Sequence, residues 1–215
     1  MSLPPSVRSH VLARKVAAAV LARLDLDRYP LQSIEKGRLP IHANSLLDAL
    51  PYVEFGRLDA VLNIGDEGLQ VIPVTFGPGE LALLSALFSE GPLHGQLLAA
   101  ESLKIRWIPI RVAESLMTED KELLLLLVRF LAQRLREVRA RERGWLERGV
   151  RERVCAGLAR IALESAPAPG EPWMINGTHE HLASRCGVSR PKPSQEVKQL
   201  EHAGVLRLNR GKIEL

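Results

Sequence analysis

Residues 178–206 read THEHLASRCGVSRPKPSQEVKQLEHAGVL, and this stretch decides how the rest of the chain is organised. Thr178 has the side chain of a helix N-cap, with Glu180 and His181 following in the first turn. Leu182 and Ala183 supply a buried face, Gly187 makes a turn, and Val188 plugs the space between helices. Ser189 caps a second helix whose apolar side holds Val197 and Leu200. Two helices joined by a short glycine turn, with basic and amide residues opening the second, form a helix-turn-helix pattern. A helix N-terminus in a major groove points Arg190 at guanine O6/N7 and Gln195 at a base edge. Ser189 and Lys192 hold phosphates there, helped by the helix-end amides. Downstream, Val205–Leu208 and Lys212–Leu215 flank Asn209-Arg210-Gly211, a hairpin that reads as a wing. Thr178, Lys198 and Arg210 complete the expected DNA-contact set.

Working back toward the N-terminus, Ser165–Pro172 is a Pro-rich loop and Val150–Glu164 a helix, with Gly144 and Gly149 as a hinge. A long helix precedes the hinge. Thr118 reads as its N-cap, with Glu119, Asp120 and Glu122 in the first turn, where carboxylates suit the helix dipole. Leu124, Val128, Leu131, Leu135, Val138, Glu142 and Trp145 then alternate steps of four and three. Such a seam needs a partner. Leu124, Val128, Leu131, Leu135, Val138 and Trp145 are accordingly read as a dimer interface. Before it, Leu58–Ile64 and Leu69–Phe76 flank Gly65-Asp66-Glu67-Gly68 as a hairpin, and Leu97–Ala100 and Ile105–Ile110 read as further strands. Residues 5–24 carry the apolar spacing of a helix.

The 215 residues include 29 Lys+Arg, 25 Asp+Glu and 2 Cys, with 46% hydrophobic content, an ordinary globular composition. The charge is uneven: residues 1–128 hold 12 basic and 15 acidic residues, while residues 129–215 hold 17 and 10, net +7. A basic C-terminal part suits a polyanion. Two cysteines make neither a disulfide framework nor a four-thiolate metal site. An apolar run such as Leu123–Val128 is far short of the roughly 20 residues of a membrane span. Arg8, Arg14, Lys15 and Arg23 spoil the N-terminus as a secretory signal. A soluble cytoplasmic protein without membrane association is expected. No P-loop, dinucleotide fingerprint, nucleophile elbow or zinc-protease motif is present, and no enzyme is expected.

The C-terminal stretch resembles the Crp/Fnr family of bacterial transcription regulators, whose helix-turn-helix begins T-x-x-x-[LI]-[AG]-x-x-x-G-x-S-R. Thr178, Leu182, Ala183, Gly187, Ser189 and Arg190 stand at those places. The family's L-E-x-x-G-[LIV]-[LI] is similar to Leu200-Glu201-His202-Ala203-Gly204-Val205-Leu206. Upstream, Gly56–Leu62 resembles the β-roll strand, and Phe76–Leu84 the start of the phosphate-binding cassette. The resemblance implies an α+β chain: an N-terminal antiparallel, jelly-roll-like β-roll sensor (1–116), a dimerisation helix (117–148) and a winged-helix DNA-binding domain (149–215). It also implies a homodimer on palindromic double-stranded DNA, with RNA polymerase a candidate further partner.

Two departures qualify that expectation. Family members that bind cyclic nucleotides carry P-R-[ST]-A after the cassette, but here the stretch is Gly91-Pro92-Leu93-His94-Gly95. Leu93 removes a charge-assisted contact to phosphate, worth roughly 1.5–3 kcal/mol even for one hydrogen bond. Val138 and Arg139 align with the two hydroxyl residues that contact the base. An effector pocket of Gly79, Glu80, Leu81, Leu93, His94, Val138 and Arg139 is therefore expected to take an effector other than cyclic AMP, or none. No iron–sulfur cysteine cluster is present. His42 and His94 are weak haem candidates, His179 and His181 face different sides of their helix, and no metal or cofactor is expected. Cys155 and Cys186 read as buried packing residues. Second, Pro193 stands at the fourth position of a helix capped by Ser189, where an interior proline costs about 3 kcal/mol. The helix must start nearer Lys192 or be distorted. The competing reading is a non-DNA-binding interaction module with a degenerate β-roll and a recognition helix disrupted by Pro193.

Overall fold

Spacing of three and four brings Ala13, Val16, Ala17 and Val20 onto one face of the first helix, α1 (Pro5–Leu21), and all four are buried. This computed structural model describes residues 5–64, 69–147, 149–164, 173–176, 178–188, 191–209 and 212–215. The chain divides into two units, Met1–Leu62 with Pro73–Glu137 and Asn63–Ile72 with Val138–Leu215.

Seven strands follow α1: β1 (Gln32–Ile34), β2 (Ala49–Phe55), β3 (Leu58–Ile64), β4 (Leu69–Phe76), β5 (Glu80–Leu81), β6 (Gln96–Ala99) and β7 (Leu103–Pro109). They make two sheets, of order β1-β7-β2-β5 and β4-β3-β6. β7 runs antiparallel to β1 and β2, and β6 to β3. Leu50, Val53, Leu58, Leu97, Leu103, Ile105 and Ile108 are the buried side chains of this roll. Each contributes roughly 1.5–3 kcal/mol of hydrophobic stabilisation. The four strands read from the sequence stand within two residues of their expected ends. β1, β2 and β5 are additions. Pro51 lies inside β2, a position that argues against a strand, and β5 is two residues paired with Tyr52 and Val53. The turn at Gly65–Gly68 lies outside the described residues.

A helix not expected from the sequence, α2 (Ile110–Glu119), ends against the long helix α3 (Lys121–Glu147). This moves the N-cap. Thr118 lies within α2 and donates to the Ser115 carbonyl at 2.9 Å. Asp120 instead accepts from the Glu122 and Leu123 amides at 2.9 and 3.0 Å. Those bonds, led by Leu123, hold its carboxyl below the ordinary carboxylate range.

The second unit contains α4 (Val150–Glu164), β8 (Met174–Asn176), α5 (His179–Cys186), α6 (Pro191–His202), β9 (Arg207–Asn209) and β10 (Lys212–Glu214). β10 lies between β8 and β9, antiparallel to both, with Ile213 opposite Ile175 and Leu208. Val154, Leu158, Ile161, Leu182, Val188, Val197, Leu200 and Leu206 share one core. No helix among the described residues is long and apolar enough to cross a membrane.

Candidate nucleic-acid interface

The N-cap expected at Thr178 forms: its hydroxyl accepts from the His181 amide at 3.2 Å. Gly187 closes α5 at φ 62° and ψ 42°, a left-handed conformation that a residue without Cβ adopts freely. Val188 is buried between the helices, as its position in the pattern requires.

Two arginines from α4 hold this turn from behind. Arg153 donates to the Cys186 carbonyl at 3.3 Å and also to that of Gly187. Arg160 donates to the Arg185 carbonyl. Their seven-residue spacing puts both on one face of α4. They satisfy the carbonyls that the end of α5 leaves unpaired, where cations also suit the helix dipole. Burial, reinforced by Arg185, lowers the Arg160 pKa to about 10, so the group stays charged at neutral pH. Arg185 itself is buried and pairs with Glu164. Gly157 allows the close approach of α4 to α5, because a Cβ there would stand 2.2 Å from Cys186 Sγ. Cys186 is buried as expected, and burial pushes its thiol up to about 11. Cys155 corrects the expectation: it is exposed.

The described part of the second helix, α6, begins at Pro191. Counted from there, Pro193 falls in the first turn, where N–H groups have no intrahelical partner. The helix then continues unbroken to His202. Pro193, Val197 and Leu200 face inward, while Lys192, Gln195, Lys198 and Gln199 are exposed. His179 Nδ1 meets Ser194 Oγ at 2.8 Å and ties the starts of α5 and α6 together. Thr178 is exposed beside His179; His179, weighed in the sequence only as a metal ligand, and Gln199, not singled out there, join the polar face. Ser189, Arg190 and Arg210 lie outside the described residues. The wing presents exposed Arg207 and Lys212. It hangs on α6 through Glu201 Oε1, which accepts from the Leu208 amide at 2.9 Å.

The residues of the expected effector pocket are divided between the two units. Gly79, Glu80 and Leu81 stand together at β5, and Glu80 and Leu81 are each 1% exposed. Leu93 is half-buried against the core and His94 is exposed. Val138 is half-buried and Arg139 exposed on α3. What meets Glu80 is α1: His10 Nδ1 lies 2.7 Å and Arg14 Nε 3.6 Å from Glu80 Oε1. Among the described residues, no group of three or more His, Cys, Asp or Glu could hold a metal ion.

α3 carries two apolar stripes where one was expected. Leu123, Leu127 and Phe130 are buried in their own unit, and Leu124 and Leu131 pack partly against the same core. Leu125, Val128 and Leu135 are exposed, at 46%, 51% and 51%. Val128 and Leu135 of the expected seam are therefore available, whereas Leu124 and Leu131 are partly committed within the chain. The Trp145 side chain lies outside the described residues.

Comparison with known proteins places these features. Residues 152–215 match the Crp-like helix-turn-helix domain. The c-di-GMP responsive global regulator CLP of Xanthomonas campestris superposes with a TM-score of 0.77 at 18% identity, covering 92% of this chain and 98% of that one. FixK2 of Bradyrhizobium japonicum gives 0.75 at 17% identity, covering 87% and 92%. A CRP/FNR family transcriptional regulator of Thermus thermophilus gives 0.68 at 22%, covering 86% and 93%. No curated protein sequence matches the chain.

Proposed function

Starting from a Crp-like helix-turn-helix at residues 152–215, we propose that the chain is a DNA-binding regulator of the Crp/Fnr type that reads palindromic operator DNA as a homodimer. It does so under an effector other than cyclic AMP, or under none. The observation that carries this reading is α6, which runs unbroken through both prolines with Lys192, Gln195 and Lys198 on its exposed face. The interaction-module alternative needed a helix disrupted at Pro193, and the helix is continuous.

In this reading Gln195 contacts a base edge, while Lys192, Lys198 and the wing cations Arg207 and Lys212 hold phosphates. Arg153 and Arg160 are positioning residues, because they act through the α5 turn. The exposed α3 stripe of Leu125, Val128 and Leu135 supplies the two-fold contact, setting half-sites about one DNA turn apart, ~34 Å. RNA polymerase is the further partner such a regulator addresses. Without the cation at Leu93, a cyclic phosphate has no charge partner on that side of the cassette. This is a binding protein and not a catalyst.

Selection of sheared genomic DNA by the full chain, at two salt concentrations and without added ligand, tests the reading. We expect enrichment of a palindromic motif. Gln195→Ala should relax one position of the motif, with a loss of about 1–3 kcal/mol there. Lys198→Ala should weaken all sequences alike and lower the salt slope by about 1. Binding without a motif, falling with salt equally in all three proteins, would overturn it.

A further inference from the structure

In the proposed function Gly79 and Glu80 belong to the effector cassette, where a carboxylate can accept hydrogen bonds and a glycine lets a bound group come close. Both are already covered here by side chains of α1. His10 Nδ1 stands 2.7 Å from Glu80 Oε1, and Arg14 Nε 3.6 Å from the same oxygen. The Arg14 stem lies over Gly79, with its Cγ and Cδ 3.7 and 3.8 Å from where a Cβ would stand. Glu80 is 1% exposed, so what touches it is fixed by packing and not by solvent.

α1 is held in place by two further sets of contacts. Val16, Ala17 and Val20 are fully buried in the core of the roll. Ser9 Oγ donates to Glu137 Oε2 at 2.5 Å, and Arg134 reaches the same oxygen at 2.7 Å. One helix therefore touches both the cassette and α3. Charge complementarity points the same way. The sequence has lost the arginine that would hold an anion, with Leu93 in its place, but keeps the carboxylate. The group that arrives at the carboxylate is a nitrogen donor with an arginine beside it.

We infer that α1 is the resident occupant of the effector cassette, filling Glu80 and Gly79 from inside the chain. The cassette is thereby joined to α3 through Ser9 and Glu137 without an external ligand. This deepens the proposed function, resting on it for the identity of the cassette and choosing between an unknown effector and none.

Hydrogen–deuterium exchange of the full chain tests it directly. The variants are His10→Ala and Glu80→Gln, with Lys15→Ala on the exposed side of α1 as control and His10→Gln as the conservative replacement. Loss of the contact should speed exchange of the α1 amides about tenfold in His10→Ala and Glu80→Gln, with β2 and β7 unchanged. His10→Gln should lie closer to wild type, and Lys15→Ala should match it. If Glu80→Gln does not fold, His10→Ala with its controls decides the question alone. Exchange of α1 within twofold of wild type in the folded variants would overturn the inference. So would saturable binding of cyclic AMP, cyclic GMP or c-di-GMP to the wild-type chain that leaves α1 exchange unaltered, because ligand and helix would then coexist. Failure of the DNA selection would strike the proposed function and leave the exchange result standing.

Discussion

The two units solve the same problem in opposite ways. In each, a helix outside the functional element holds it with charged side chains. In the second unit Arg153 and Arg160 spend their donors on main-chain carbonyls of α5 and its turn, leaving the side chains of α6 free to face outward. In the first unit His10 hydrogen-bonds with Glu80 at 2.7 Å and Arg14 pairs with the same oxygen across 3.6 Å, at the carboxylate of the proposed cassette. The difference is between supporting a site and filling it. A scaffold bonded to backbone leaves the chemistry exposed, whereas one bonded to the functional group itself occupies that group.

The largest expected effect tests the scaffold of the second unit. Arg185→Ala and Arg185→Met both leave Glu164 without this partner and should each cost about 3 kcal/mol in denaturant unfolding. A much smaller loss in Arg185→Met, which keeps the volume, would mean that packing, and not the pair, holds the turn. Gly157→Ala comes next. The added Cβ collides with Cys186 Sγ, and overpacking of about 1–3 kcal/mol is partly offset by roughly 1 kcal/mol of helix propensity. A stabilised Gly157→Ala would show that α4 and α5 are not tightly apposed.

A pH test probes the first unit. The Asp120 carboxyl is held below its ordinary value by the Leu123 amide and by Arg23. Its contribution is complete above the ordinary carboxylate range and fades as pH falls through the lowered folded value. Asp120→Ala should therefore lower stability at neutral and alkaline pH, change little below the lowered folded value, and so flatten the acid limb of the stability profile. The smallest effect is chemical. At neutral pH a thiol reagent should modify Cys155 rapidly and Cys186 only on unfolding, because the latter is buried and its thiol titrates near 11. Two fast thiols would mean that the Arg153–Arg160 face opens readily.

Legibility in the sequence followed the range of the interactions. Thr178, Gly187, Val188, Val197 and Leu200 were readable because a cap, a turn and an apolar spacing are settled within a few residues. β2 was hidden by Pro51, and β5 exists only through its pairing with β2. Thr118 looked like a cap because α2, which absorbs it, carries no start signal of its own. The α3 seam was read as one stripe, yet a helix packed on its own core needs an inward stripe as well, and Leu124 and Leu131 serve partly there. Pro193 looked disruptive in a count from Ser189, which lies outside the described residues, yet the described helix runs unbroken from Pro191 to His202. The contacts of α1 span 70 residues to Glu80 and 128 to Glu137, beyond any local pattern. The one sequence hint was a helix bearing polar Ser9, His10 and Arg14 beside buried apolar positions.

The bond from Glu201 to the Leu208 amide has a mechanical consequence. It fixes the first strand of the wing to the last turn of α6, so helix and hairpin form the two jaws of one caliper set at a single gap. A rigid shift of the helix along a groove carries both jaws together. In the proposed reading of DNA, the span between base edge and flanking backbone is then gauged as one length.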